Sequence, residues 1–181
     1  LNVKGLVGGH SGMDIILYRA NANKVMTRAL LPLLRDLDAR LVSVEGGNMR
    51  NAIPREAVAV IAVPADKLEA AKALVAKVEA EVKVEYAATD KDAKVYLEDA
   101  PLAAEAIEQK VALNLCKALY GCPSGVERMS DAMPGLVETS NNMAIVKSEN
   151  GTIKVHSLMR SSVDTAKDDL AERMRAVFEL A

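Results

Sequence analysis

The stretch AVAVIAVPADKLEAAKALVAKVEAEVKVEYAA (Ala57–Ala88) decides the fold. Its opening run, Ala57–Val63, is apolar without interruption and of strand length, so it reads as a strand buried on both faces. Pro64 ends that run. Asp66 is placed to cap a helix reaching about Glu81, with Leu68, Ala71, Leu74, Val75 and Val78 on one face. Val82–Ala88 alternates again and reads as a further strand. Toward the N-terminus, Asn2–Leu6 alternates weakly and leads through a glycine-rich loop into a helical pattern from about Asn21 to Leu37, carried by Val25, Met26, Ala29, Leu30, Leu33, Leu34 and Leu37. Pro32 lies inside this pattern and predicts a kink or an irregular turn. Leu41–Glu45 is a short strand, and Gly46–Pro54 carries turn chemistry. Residues 1–90 thus run β-α-β-β-α-β, the order of a ferredoxin-like split βαβ unit.

The remaining half, residues 91–181, repeats this order in part. Lys94–Leu97 is a short strand, Leu102–Tyr120 a helix ended by Gly121, and CPSG (Cys122–Gly125) a turn followed by a loop containing Pro134 and Gly135. Val137–Lys147 and Thr152–Val163 read as a hairpin around Asn150-Gly151, a dipeptide suited to a tight turn with positive φ. Asp164 can cap a last helix to about Leu180. The result is β-α-β-β-α without its closing strand. No linker separates the halves, so the expectation is a single α+β domain with an antiparallel sheet and helices on one face, partly duplicated.

Composition narrows the function. The chain has 181 residues, 50% of them hydrophobic, and a formal charge of −2, enough apolar material for a core. Lys and Arg form no cluster or stripe, which argues against a nucleic-acid partner. No apolar run approaches the roughly 20 residues needed to span a bilayer, and no secretory leader opens the chain, so the expected location is cytoplasmic. Cys116 and Cys122 fit neither a disulfide framework nor a CxxC motif and are expected to be reduced and structural. The chain starts at Leu1 inside a strand, as an excised piece of a larger protein would.

No HExxH, CxxC or HxH spacing occurs, so no catalytic metal site is expected from this chain alone. Ser11, His10 and Asp14 are too close in one loop to form a nucleophilic triad, and GHSG is not the GxSxG elbow. His10, set among Gly5, Gly8, Gly9 and Gly12, is open to two readings: an imidazole capping a tight turn, or a functional group on cleared backbone. Asn51 is either a turn former or a contact residue. Arg160 shares a strand face with Lys154 and His156, ordinarily a solvated face. Thr139, Ser140, Asn141 and Asn142 either line a site or face water.

Taken together, GLVGGHSGMDI (Gly5–Ile15), NANK (Asn21–Lys24), GGNMRNAIPRE (Gly46–Glu56), ETSNN (Glu138–Asn142) and SLMRSS (Ser157–Ser162) resemble the lid, or dimerisation, domain of aminoacyl-histidine dipeptidases. These enzymes belong to a zinc metallopeptidase family that includes carnosinases. The resemblance runs the length of the chain. It implies a noncatalytic insert in an enzyme that hydrolyses Xaa-His dipeptides, with zinc and its ligands in an absent catalytic domain and none bound here. It also implies roles: His10 stabilises the oxyanion of the scissile carbonyl, Asn51 binds the substrate backbone and Arg160 holds the free carboxylate. A homodimer is expected, because related peptidases dimerise through this domain and a ferredoxin-like sheet leaves an open edge. Against it, monomeric relatives carry a doubled lid whose second half replaces the partner. The alternative to the whole reading is a free-standing ferredoxin-like ligand-binding or oligomerisation module.

Overall fold

The computed structural model describes all residues from Leu1 to Ala181. Three strands of the first half, β1 (Asn2–Lys4), β3 (Arg40–Gly46) and β5 (Ala57–Ala62), are joined by β6 (Lys94–Tyr96), the strand expected to open the second half, in the order β6-β1-β5-β3. Every pairing is antiparallel, and the order is that of the ferredoxin-like unit. A two-stranded ribbon stands apart, made of β2 (Gly9–His10) and β4 (Ala52–Ile53). Helix α1 (Ala22–Asp36) and helix α2 (Leu68–Glu85) cover the sheet, α1 burying Val25, Met26, Ala29, Leu30, Leu33 and Leu34. Asn21 caps α1 by accepting the Asn23 and Lys24 amides.

The second half extends the same sheet. Strand β8 (Val137–Glu149) joins β3 through Glu45↔Lys147 and Gly46↔Val146. Its other edge pairs with β9 (Thr152–Ser161), the two turning at Asn150 and Gly151 with φ of 50° and 73°. Strand β7 (Gly125–Met129) takes the end of β8 that β3 does not reach. Helices α3 (Gln109–Gly121) and α4 (Asp164–Glu179) continue the helical layer, α3 against α1 and α4 against α3 and β9. One buried cluster links both halves, from Leu1 and Val3 through Met143 and Val146 to Cys116 and Met174. Lys24 fastens α1 to α3 by donating to the carbonyls of Leu119, Tyr120 and Cys122. Cys116 and Cys122 are buried and unbridged, and burial pushes the Cys116 thiol up to about 12.

Several local expectations are corrected. Val82–Ala88 is not a strand: α2 runs on to Glu85 because Val75, Val78 and Val82 continue its buried face, and the closing strand is Lys94–Tyr96. No side chain caps α2; a 3₁₀ turn at Ala65–Lys67 leads into it. Residues 102–108 are not helical, and α3 starts at Gln109 with Glu108 accepting two amides at its cap. Strand β5 is buried on one face only, with Val58 39% exposed on the other. Helix α1 passes through Pro32 unbroken. Thr139–Asn142 do not face water; all four are buried.

The sheet has two poles. Gly46, Ala57 and the β2–β4 ribbon mark one. The other holds the Asn150-Gly151 turn, beside Val42, Val111 and Leu115. Both chain ends lie toward this second pole: Leu1 accepts from Ala59 near Val42, and Ala181 lies by Val111, Asn114 and Leu115.

Candidate functional site

The residue types singled out in sequence meet at the first pole. In the ribbon, His10 pairs with Ala52, and the Ser11 amide donates to the Asn51 carbonyl at 2.9 Å. His10 and Asn51 therefore sit on adjoining backbones although 41 positions separate them. Arg160 arrives from β9. The point that a Cβ on Gly12 would occupy is 3.1 Å from His10 Cε1 and 3.3 Å from Arg160 Nε. Gly12 thus leaves the gap through which imidazole and guanidinium approach. Arg160 and Asn51 also line one open cleft of about 560 Å³, with Met49, Arg50 and Leu158.

Backbone hydrogen bonds decide how His10 can act. Its Nδ1 accepts from the Gly12 and Met13 amides, both at 3.1 Å. A nitrogen that accepts two N–H groups carries no proton, so the neutral ring holds its proton on Nε2 and presents a donor. The main chain of His10 is held as well, its amide donating to Asp14 Oδ2 at 2.7 Å. Asp14 is braced by Arg19, 3.6 Å away, which donates in turn to the Gly8 carbonyl at 2.6 Å. A side chain at Gly9 would stand 2.5 Å from both Asp14 and Arg19, and the φ of 142° there is strained for any L residue. Glycine at that position admits the brace. A Ser–His–Asp triad is absent: the Asp14 carboxylate serves backbone and Arg19, and the buried Ser11 Oγ has no partner.

Two buried polar residues fix the loops of the site: Asp90, which the sequence does not single out, and Asn142, which lies in the ETSNN stretch but without a role assigned to it. Asp90, with no exposed surface, accepts from the Val7 amide at 2.8 Å and the Ala20 amide at 2.9 Å, closing the neck of the loop that carries His10. Asn142 donates to the carbonyls of Arg50 at 3.2 Å and Ala52 at 2.7 Å, one on each side of Asn51, and accepts from Asn21. Their partners lie far off in sequence, so no local pattern announces them. His156 is exposed on β9, as its alternation predicts. No group of three or more His, Cys, Asp or Glu side chains is placed to hold a metal ion.

Residues 1–90 match the family model described as the peptidase dimerisation domain. Over all 181 residues the sequence is 39% identical to the cytosol non-specific dipeptidase of Escherichia coli K12, covering 37% of that protein. The crystal structure of an aminoacylhistidine dipeptidase from Vibrio alginolyticus superposes on 99% of the chain with a TM-score of 0.95 and 37% identity, over 36% of its own length. The chain belongs to the peptidase dimerisation domain family. It spans little more than a third of each relative it matches. The dimerisation domain carries the ferredoxin-like sheet order that its sequence predicts, and its solved relative is a dipeptidase.

Proposed function

We propose that the dimerisation domain grips the substrate of a cytosolic, zinc-dependent dipeptidase acting on Xaa-His dipeptides, while the chemistry of bond cleavage resides elsewhere in that enzyme. The convergence of His10, Asn51 and Arg160 at one pole carries this reading. His10 Nε2–H donates to the scissile carbonyl oxygen as negative charge develops there, a contact stronger in the transition state than in the ground state. Asn51 hydrogen-bonds the peptide backbone of the substrate. Arg160, whose guanidinium has no carboxylate partner within the chain, clamps the free C-terminal carboxylate through two parallel N–H···O bonds. The side chains of this domain do not suit a zinc site, so the metal would be held by residues outside it. The names of two relatives support the reading: one is a cytosol non-specific dipeptidase, which supports dipeptides and the location, and the other an aminoacylhistidine dipeptidase, which supports Xaa-His.

The test uses the full-length enzyme. In it, Arg160→Met raises KM about a hundredfold for a dipeptide acid but leaves the corresponding dipeptide amide almost unaffected, since the amide has no carboxylate to lose. Equal losses on acid and amide would remove Arg160 from this role.

The same proposal includes a homodimer. The second half covers the β3 edge with β8, but β9 then leaves ten residues with one unpaired side, beside α4. Such an edge is a template for a second copy. Light scattering over a concentration series is expected to give twice the monomer mass; the monomer mass throughout would show that β8 and β9 have replaced a partner.

A further inference from the structure

The cleft contains one more cation than a single carboxylate needs. Arg50 lines it beside Arg160, Asn51, Met49 and Leu158. The ion pairs of the domain engage Arg19, Arg28, Arg35, Arg128, Arg173 and Arg175; Arg40, Arg50, Arg55 and Arg160 take part in none, and of these four Arg50 and Arg160 line the same cleft. Two arginines that line one cleft without a counter-ion in the chain raise its positive potential, and the arrangement is relieved when anions occupy the cleft. Arg50 is an exposed residue whose main chain is nonetheless anchored. Its carbonyl is held at 3.2 Å by Asn142, which is 1% exposed, so the guanidinium springs from anchored backbone. Met49 and Leu158 add apolar surface suited to methylene groups next to a charged head.

Resting on the proposed dipeptidase reading, we infer that Arg50 is a specificity residue that binds a second carboxylate, the acidic side chain of a C-terminal aspartate or glutamate, while Arg160 binds the main-chain carboxylate. The substrate class of the site then includes dipeptides that end in an acidic residue, besides those that end in histidine.

The experiment compares kcat/KM of the full-length enzyme for Ala-Glu and Ala-Gln, which match in shape and differ in charge. The wild type is expected to favour Ala-Glu about tenfold, a preference that shrinks as ionic strength rises. Arg50→Gln abolishes the preference and leaves Ala-Gln within about twofold of wild type, Arg50→Lys restores part of it, and Arg160→Met lowers both substrates together. Loss on both substrates alike in Arg50→Gln would mean that both arginines hold one carboxylate, and overturns the inference. An unchanged ratio in Arg50→Gln, or no preference in the wild type, overturns it as well. In each of these cases a loss in Arg160→Met still leaves the dipeptidase reading standing. Absence of any dipeptide hydrolysis by the wild type overturns both.

Discussion

Two long irregular connections of this domain behave oppositely. Between β1 and α1, residues 5–21 hold their shape through side-chain acceptors: buried Asp90 at the neck, part-buried Asp14 under His10, and the imidazole itself over Gly12 and Met13. Between β6 and α3, residues 98–106 are exposed throughout, and Leu102 is 99% exposed. That connection is tied down only near its ends, by the Asn2–Glu98 contact and by the Ile107 amide on Leu41. The first segment has only short regular pieces, the Gly9–His10 strand and a 3₁₀ turn at Ile15–Leu17, and the second has none; what separates them further is the supply of side-chain acceptors. The first is held in one shape, as the role proposed for His10 requires, and the second is a tether.

The largest effect that would break this contrast lies at His10. In the full-length enzyme, His10→Ala is expected to lower kcat by about 10²–10³ with little change in KM, the usual loss for one oxyanion donor. A variant with unaltered kcat would leave the ordered loop without a chemical purpose. Next comes Asp90→Ala, which strands the buried Ala20 amide and the part-buried Val7 amide and is expected to destabilise the domain by about 3 kcal/mol in denaturant titration. Retention of wild-type stability would mean that the neck is held by something other than this carboxylate. At the small end, Leu102→Ser is expected to change stability by less than about 0.5 kcal/mol. Hydrogen exchange sharpens the same comparison: the Val7, Gly12, Met13 and Ala20 amides should exchange slowly and those of residues 99–106 fast. Comparable rates in the two segments would erase the distinction.

Where burial follows periodicity, the sequence was readable. Helix α1, strands β3 and β5, the Asn150-Gly151 hairpin and the ferredoxin-like order all come from apolar spacing and turn residues. Errors arise where local pattern and tertiary packing disagree. VKVEY (Val82–Tyr86) alternates like a strand, yet Val82 is also one turn beyond Val78 on a helix face with core to cover, and the longer buried face prevails. The segment Leu102–Ala106 has helical composition but no face against the core, so propensity alone does not fold it. Strand β7 was missed because its partner is the polar stretch of β8. At the site, His10, Asn51 and Arg160 could be chosen from motifs. Asp90 could not, and Asn142, although part of ETSNN, gave no sign of its role, since a buried polar residue acquires meaning only from carbonyls and amides that the fold brings to it.

The polar layout of the sheet has a mechanical side. Leu1 and Ala181 lie toward the Asn150-Gly151 turn, whereas His10 and Arg160 occupy the opposite pole. At about 3.3 Å per residue, the eight or so strand residues between the poles make an arm of roughly 25 Å. Any chain joined at either end therefore works this arm from its base. A rotation of about 10° there would swing His10 through about 4 Å, the difference between a made and a broken hydrogen bond. Because the sheet is continuous and its core is shared by both halves, such a rotation would be delivered to the imidazole as a displacement and not absorbed along the way.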